Sequence, residues 1–243
     1  MSDNQQIGLA VNALKESYYY ITNLLGLDNK AFNKIITLEY DRFKDSWNNL
    51  EIDNYMSDGG KYRYRRYSVI NCYNGNELEY LSPEPHYQRI VYNNLNGDIF
   101  RHYAAFEEHI LKNSLLKAMI NLCCKIFNQM KPKNLNWRVE CHQFRIIPSA
   151  YKLAFPTPEG KHRDGVDYVF MMLIERKNIT GGITKIYNNS DTCIATHTLE
   201  SAEECILLDD TKVMHEASPI HNLPNSHTAY RDVLVLTFRS LKK

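Results

Sequence analysis

No two cysteines in this chain have C-x-x-C spacing, and a chain of 243 residues does not need disulfide staples to hold a core. The six that occur, Cys72, Cys123, Cys124, Cys141, Cys193 and Cys205, read as reduced thiols of a cytoplasmic protein. Charge of one sign is missing too: the formal net charge is +1, which excludes a global field for nucleic acid or an anionic membrane. No apolar run reaches the ~18 residues of a transmembrane helix. Met1 to Gln6 is polar, without the basic and apolar regions of a secretory signal. There is no internal repeat, no low-complexity tract and no Pro/Gly/Ser linker. What is present is ordinary globular material, with 44% hydrophobic and 23% charged residues. One domain over 1–243 is expected, and a monomer or homodimer suits it equally.

The texture changes along the chain. Residues 1–60 read as helical. Ile7, Leu9, Val11, Leu14, Tyr18, Ile21 and Leu25 have roughly helical spacing over 7–25, and Ala31, Ile35, Leu38 and Phe43 share a face over 29–44. Residues 61–134 are mixed, with a helix from about Ala104 to Met130 that Pro132 stops. From 135 to 243 short strands dominate. Trp137 to Ile147 alternates, with Trp137, Val139, Cys141, Gln143 and Arg145 on one face. Tyr168 to Ile174 is a continuous apolar run, as in a strand buried on both sides. Ile183 to Tyr187 follows the Gly181-Gly182 turn, and Glu204 to Leu208 and Val233 to Phe238 complete the set. The expected fold is mainly β with helical additions: a jelly-roll barrel, or double-stranded β-helix, flanked by helices.

His162-Arg163-Asp164 is the sharpest local feature. Residues two apart on an extended segment project the same way, so an imidazole and a carboxylate can approach one ion from one side. His215 is the natural third ligand. Two histidines and a carboxylate form the facial triad of non-haem Fe(II) oxygenases, which leaves coordination positions open for co-substrate and oxygen. The H-x-D spacing by itself is common by chance; its company gives it weight. Arg231 opens the strand Arg231 to Phe238 and shares a face with Val233, Val235 and Thr237. If those valines point inward, so does the arginine, and a buried guanidinium needs an anion. The far carboxylate of a dicarboxylic keto acid would serve, with Thr184, Tyr187 or Thr237 adding a hydroxyl. An ion pair with Asp232 or Asp210 would serve equally.

Four segments now stand in order: Pro156 to Gly165 around His162 and Asp164; Gly181-Gly182 with Ile186-Tyr187; Leu208-Asp209-Asp210 to His215 with Ser218-Pro219-Ile220; and Tyr230 to Phe238. Together they resemble bacterial Fe(II)/2-oxoglutarate-dependent dioxygenases, closest to the free L-amino acid hydroxylases of the isoleucine 4-hydroxylase type. His142-Gln143-x-Arg145, Tyr62 to Tyr67, and Gln88 with Tyr92-Asn93 match as well, so the resemblance runs from about Lys61 to the C-terminus. It implies Fe(II) on His162, Asp164 and His215, and 2-oxoglutarate on Arg231. It implies hydroxylation of an unactivated carbon, with O2 consumed and succinate and carbon dioxide released. A carboxylate ligand at Asp164 favours hydroxylation over halogenation. The implied substrate is a small molecule, most simply a free L-amino acid. Gln143, Arg145, Arg63 and Arg65 are the candidates for substrate contact, the arginines for its carboxylate, and Glu159 or Asp167 for its ammonium group. Glu216-Ala217 departs from the pattern, where a small residue such as Gly is expected after the second histidine. Three alternatives remain open from the sequence: a peptide or other metabolite as substrate, a non-enzymatic cupin-like metal-binding module, and a merely solvated basic strand at Arg63 to Arg66.

Overall fold

The computed structural model describes residues 3–131, 135–149, 152–226 and 228–241. Its elements, in chain order, are α1 (Asp3–Ser17), β1 (Tyr19–Asn23), α2 (Leu24–Leu27), α3 (Asn29–Asp45) and a 3-10 turn at Ser46–Asn49. Then come β2 (Glu51–Ile52), β3 (Arg63–Tyr73), β4 (Glu77–Tyr80), α4 (Glu108–Leu111), α5 (Ser114–Gln129), β5 (Trp137–Ile146) and β6 (Tyr168–Lys177). The chain finishes with β7 (Ile179–Gly181), β8 (Ile183–Asn188), β9 (Cys193–Thr198), β10 (Glu204–Asp209), β11 (Val213–Ala217), β12 (Ile220–Asn222) and β13 (Tyr230–Ser240).

One large antiparallel sheet runs β1-β10-β6-β13-β5-β3-β2, with β4 paired to β3. Two smaller sheets, β11-β8-β9 and β12-β7, make the other side of the jelly roll. The expected mainly-β architecture with helical additions is therefore observed. The large sheet has two buried faces, and this governs where every side chain goes. Its outer face packs on the helices: Trp137, Val139 and Cys141 of β5, Phe170 and Met172 of β6, and Leu234, Leu236 and Phe238 of β13 share one cluster with Leu14, Phe43 and the buried side of α5. Its inner face, with Val169, Leu173, Ile206, Leu208 and Val233, packs against Ile186 and Val213 of the smaller sheet.

Helix α1 forms where its apolar residues fall at the i, i+3, i+4, i+7 spacing, and Ile7, Ala10, Val11 and Leu14 are the buried ones. It stops sooner than the spacing predicts. Tyr18 turns into the left-handed region (φ 69°), and Tyr19–Asn23, rich in β-forming residues, pairs along β10 as an edge strand. Helix α3 appears as expected, but buries Phe32 and Phe43 and leaves Leu38 67% exposed. The long helix predicted over 104–130 is shorter and broken, because Asn113 ends one turn and caps the next: its side chain accepts a hydrogen bond from Leu115 N at 2.8 Å. Pro132, predicted to stop it, lies outside the described residues. None of the described helices is long and apolar enough to cross a membrane.

Phe127 of α5 ties helix to sheet. Its ring stacks on Tyr168 at 4.4 Å and meets Phe238 edge-on at 4.9 Å. Phe127→Ala should cost about 3–5 kcal/mol in chemical denaturation, with the metal site unaffected because that site lies on the other side of the sheet.

Candidate active site

The inner face of the large sheet presents Arg63, Arg65, Tyr67 and Val69 from β3, Glu140, His142, Phe144 and Ile146 from β5, and Arg231, Val233, Val235 and Thr237 from β13. Strand register sets them in rows: Arg65 opposite Phe144 opposite Val233, and Tyr67 opposite His142 opposite Val235. All of these but Tyr67 and Val69 line one cavity with His162, Asp164, Glu159, His215 and Thr184.

His162 and His215 lie opposite each other in an isolated antiparallel bridge, with His162 N to His215 O at 3.0 Å and His215 N to His162 O at 2.9 Å. Asp164 follows in a loop that Asp210 holds. Asp210 accepts backbone hydrogen bonds from Asp164 N (3.0 Å), Gly165 N (2.8 Å) and Val166 N (3.0 Å). Gly165 is required there twice over, by φ +77° and by the Tyr92 ring, whose nearest atom would be 2.4 Å from an added Cβ. The three side chains converge. Asp164 Oδ1 is 3.8 Å from His162 Nε2, Asp164 Oδ2 is 3.7 Å from His215 Nε2, and the ligand atoms of all three lie within 4.8 Å of one another. His162 Nδ1 is 3.0 Å from the Gly160 carbonyl, which takes its N–H and leaves the Nε2 lone pair facing the other two groups. The donor set, two imidazoles and one carboxylate on one side of a cavity, fits a divalent transition metal with open positions.

The electrostatics agree with that fit. Burial, then the neighbouring His162, pushes His215 well below the usual histidine range, so it is neutral. Burial also opposes a charge on His162, but the carboxylates of Glu159 and Asp164 outweigh it and raise its pKa. Asp164 is raised by burial, against the pull of His162. Asp210 is pushed up to about 7 by burial and by Asp164, against its three N–H donors.

Arg231 is only 4% exposed, and its side chain has no salt-bridge or hydrogen-bond partner among the described residues; its Nε is buried and unbonded. The two acids considered from the sequence are both engaged elsewhere. Asp232 takes the fork of Arg145 at 2.8 and 2.6 Å, and Asp210 serves the loop of Asp164. Burial and the nearby Arg176 pull Arg231 down to about 10, with Asp232 opposing. Gly182 gives the arginine its room, since a Cβ there would sit 3.3 Å from Arg231 Cδ. Of the hydroxyls considered, Thr184 and Thr237 line the cavity and Thr237 Oγ1 is buried without a partner. Tyr187 instead donates to Glu216 Oε1 at 2.5 Å.

Of the residues expected to meet the substrate, Arg63 and Arg65 are in the cavity and Gln143 and Arg145 are not. Gln143 is fully buried on the helix side and donates to Ser46 Oγ at 2.7 Å. Arg145 is bound to Asp232 and lies over the Tyr230 ring at 4.3 Å. The face shared by Trp137, Val139, Cys141, Gln143 and Arg145 is real, but it looks out to the helices. Its alternate, with Glu140 and His142, looks in. Arg63 and Arg65 are 6% and 3% exposed, which disposes of a solvated basic strand at these two positions. Arg63 pairs with Asp53 at 2.8 Å, and Arg65 lies 3.7 Å from the same carboxylate and donates to His142 Nδ1 at 2.7 Å. Of the two acids proposed for an ammonium group, Asp167 is taken by Lys131 at 2.9 Å, whereas Glu159 lines the cavity with Oε2 buried and unbonded. Two further groups in the cavity, His86 and Arg101, carried no periodic or motif signal in the sequence.

Comparison with known proteins bears on all of this. The curated 3(1)-hydroxy-L-isoleucine 4-dioxygenase of Pantoea ananatis (strain AJ13355) is 26% identical over 226 residues, which cover 91% of this chain and 88% of that protein. The crystal structure of a bsmA homologue from Methylobium petroleophilum PM1 superposes with a TM-score of 0.87 at 29% identity, covering 96% of this chain and 93% of that one. IDO from Bacillus thuringiensis shares the fold with a TM-score of 0.77 at 19% identity, covering 97% and 96%. The profile of the 2OG-Fe dioxygenase family matches residues 44–237, a span that takes in the converging His162, Asp164 and His215 as well as Arg231. This chain belongs to the Fe(II)/2-oxoglutarate-dependent dioxygenases, enzymes that use Fe(II), 2-oxoglutarate and O2.

Proposed function

We propose that this enzyme hydroxylates an unactivated carbon of a free L-amino acid, with His162, Asp164 and His215 holding the iron and Arg231 holding the distal carboxylate of 2-oxoglutarate. One observation carries the reading: a buried guanidinium with no anion, in the same cavity as the three converging ligands. Burying such a charge unpaired is costly. A dicarboxylic keto acid supplies the missing partner through a two-pronged contact, and Thr237 offers it a hydroxyl. A non-enzymatic metal-binding barrel would have no use for Arg231.

Bound iron would supply the oxidising chemistry that splits 2-oxoglutarate to succinate and carbon dioxide and delivers one oxygen atom to the substrate. The chain's own residues do the rest. Gly160 orients His162, and Asp210 fixes the loop of Asp164. His86, Tyr87, Gln88, Asn93 and Arg101 add a further wall to the cavity, and Gln88 Nε2 donates to the Asp164 carbonyl at 3.2 Å. With Asp164 in the ligand set, hydroxylation is favoured over halogenation.

Three things support a free amino acid. The Pantoea relative is named for an isoleucine derivative. The cavity wall holds guanidinium groups for a carboxylate. Glu159, with an unbonded carboxylate oxygen, suits an ammonium group. On this reading 1–243 is one dioxygenase domain, and the six unpaired thiols suit the cytoplasm. The test is succinate release with Fe(II) and 2-oxoglutarate across the free L-amino acids. One or a few should stimulate it strongly and gain one oxygen by mass. Stimulation by peptides alone would overturn the free amino acid.

Metal uptake should depend on pH in a defined direction. His162 is raised above its ordinary value, so it holds a proton at slightly acid pH that must leave before Nε2 can bind a metal, whereas His215 is already neutral. Affinity for Co(II) should therefore fall about tenfold per unit as pH drops below neutrality, with recovery above it. A flat profile between pH 5.5 and 7.5 in a spectroscopic titration would contradict this.

A further inference from the structure

A second cluster of the same residue types lies in the wall of the cavity. The potential ligand atoms of His86, Glu140 and His142 lie within 4.8 Å of one another, which invites a second metal. Its surroundings argue against one. Arg65 donates to His142 Nδ1 at 2.7 Å, so a neutral His142 carries its proton on Nε2, the atom a metal would need. Burial and the guanidinium groups of Arg65, Arg101 and Arg63 drive both histidines well below their usual range. A field that repels a proton repels a divalent cation more.

What lacks a partner beside this cluster is a guanidinium. Arg101 is 2% exposed, lines the cavity, and among the described residues has no hydrogen bond or ion pair through its side chain; Nε and Nη2 are both buried and unbonded. No carboxylate among the described residues lies within ion-pair distance of it, and two acids of this region are already engaged. Asp53 is engaged by Arg63 and Arg65, and Glu140 reaches Arg138 Nε at 3.4 Å. The Nε of Arg65 is also unbonded, and its guanidinium is clamped between the rings of Tyr103 at 3.8 Å and Phe144 at 4.5 Å. Arg101 is held in place from behind, since its backbone exchanges both hydrogen bonds with His86 at 2.9 Å. A fixed, buried and unpaired guanidinium is the feature that marks Arg231, and the cavity contains it twice.

We propose that Arg101, with Arg65 beside it, is a second anion subsite that takes the carboxylate of the primary substrate, so the substrate must be a carboxylic acid. This rests on the dioxygenase reading above and goes beyond it by naming the residue that selects the substrate. The free acid is bound where the amide or ester is refused, because a buried cation left unpaired is penalised.

The test is calorimetric titration of the full chain, loaded with Fe(II) and 2-oxoglutarate and kept anaerobic so that nothing turns over. The ligands are the free L-amino acids, each alongside its carboxamide. At least one acid should bind, with its amide at least ~30-fold weaker. Arg101→Gln should weaken the acid by a similar factor, leave 2-oxoglutarate within about twofold, and keep a ligand-free melting temperature no lower than the parent's. Arg101→Lys should recover part of the loss. Acid and amide binding alike, or full acid affinity in Arg101→Gln, would overturn the proposal. So would equal loss of 2-oxoglutarate and of thermal stability in that variant, which would make the arginine structural. If no amino acid binds, the amino-acid reading falls, and butyrate and hexanoate decide the subsite alone: binding that Arg101→Gln abolishes sustains it, and absent or insensitive binding ends it.

Discussion

Arg231→Met is expected to weaken 2-oxoglutarate binding by at least ~100-fold and yet to melt at a higher temperature than the parent when no ligand is present. The two effects have one cause. Keeping Arg231 charged in its buried place, where its pKa is drawn from 12.5 to about 10, costs on the order of 3 kcal/mol in the empty protein. Methionine removes that cost, and with it the reason for the anion to bind. Had Arg231 been half of an internal ion pair, truncating it would strand a buried carboxylate and lower stability by about 3–5 kcal/mol. Melting curves with and without 2-oxoglutarate therefore separate the two roles. The parent should be stabilised by the keto acid, and the variant should not.

Asp164→Ala should abolish turnover and lower metal affinity by more than ~100-fold, since loss of an outer-shell partner alone commonly costs 10- to 100-fold. The substitution should spare the fold. Asp164 lies in a loop fixed through its backbone, by Asp210 at its N–H and Gln88 at its carbonyl. It also removes the neighbouring charge that helps hold Asp210 at about 7, so the metal-free variant should be at least as stable as the parent at neutral pH. Glu140→Gln, in the cluster of His86 and His142, should leave metal content unchanged. Metal analysis of the two variants side by side distinguishes the clusters, which composition alone does not.

Much of the site was legible because its parts obey local rules. His162 and Asp164 are two apart, and the alternation of Arg231 with Val233 and Val235 places the arginine inside. Strands β5, β6, β8, β10 and β13 announced themselves by apolar pattern. What stayed hidden depends on what covers each face. Alternation puts Trp137, Cys141, Gln143 and Arg145 of β5 on one face but does not say what that face meets; helices α3 and α5 cover the outer side of the sheet, so that set faces them and Glu140 and His142 face the cavity. Residues 19–23 read as the end of a helix, because only pairing with β10 makes them a strand. Leu38 fits the helical stripe of α3 and is exposed all the same, since no element packs over it. Arg101 sits in a stretch without periodicity. Its role emerges only where the bridge to His86 closes the loop over the cavity.

The most direct test of the account is an anomalous difference map at the iron edge, from crystals grown anaerobically with Fe(II) and 2-oxoglutarate. One iron peak should lie among His162, Asp164 and His215, with the distal carboxylate of the keto acid against Arg231 and no peak at His86, Glu140 and His142. Iron at the second cluster, or 2-oxoglutarate turned away from Arg231, would contradict it.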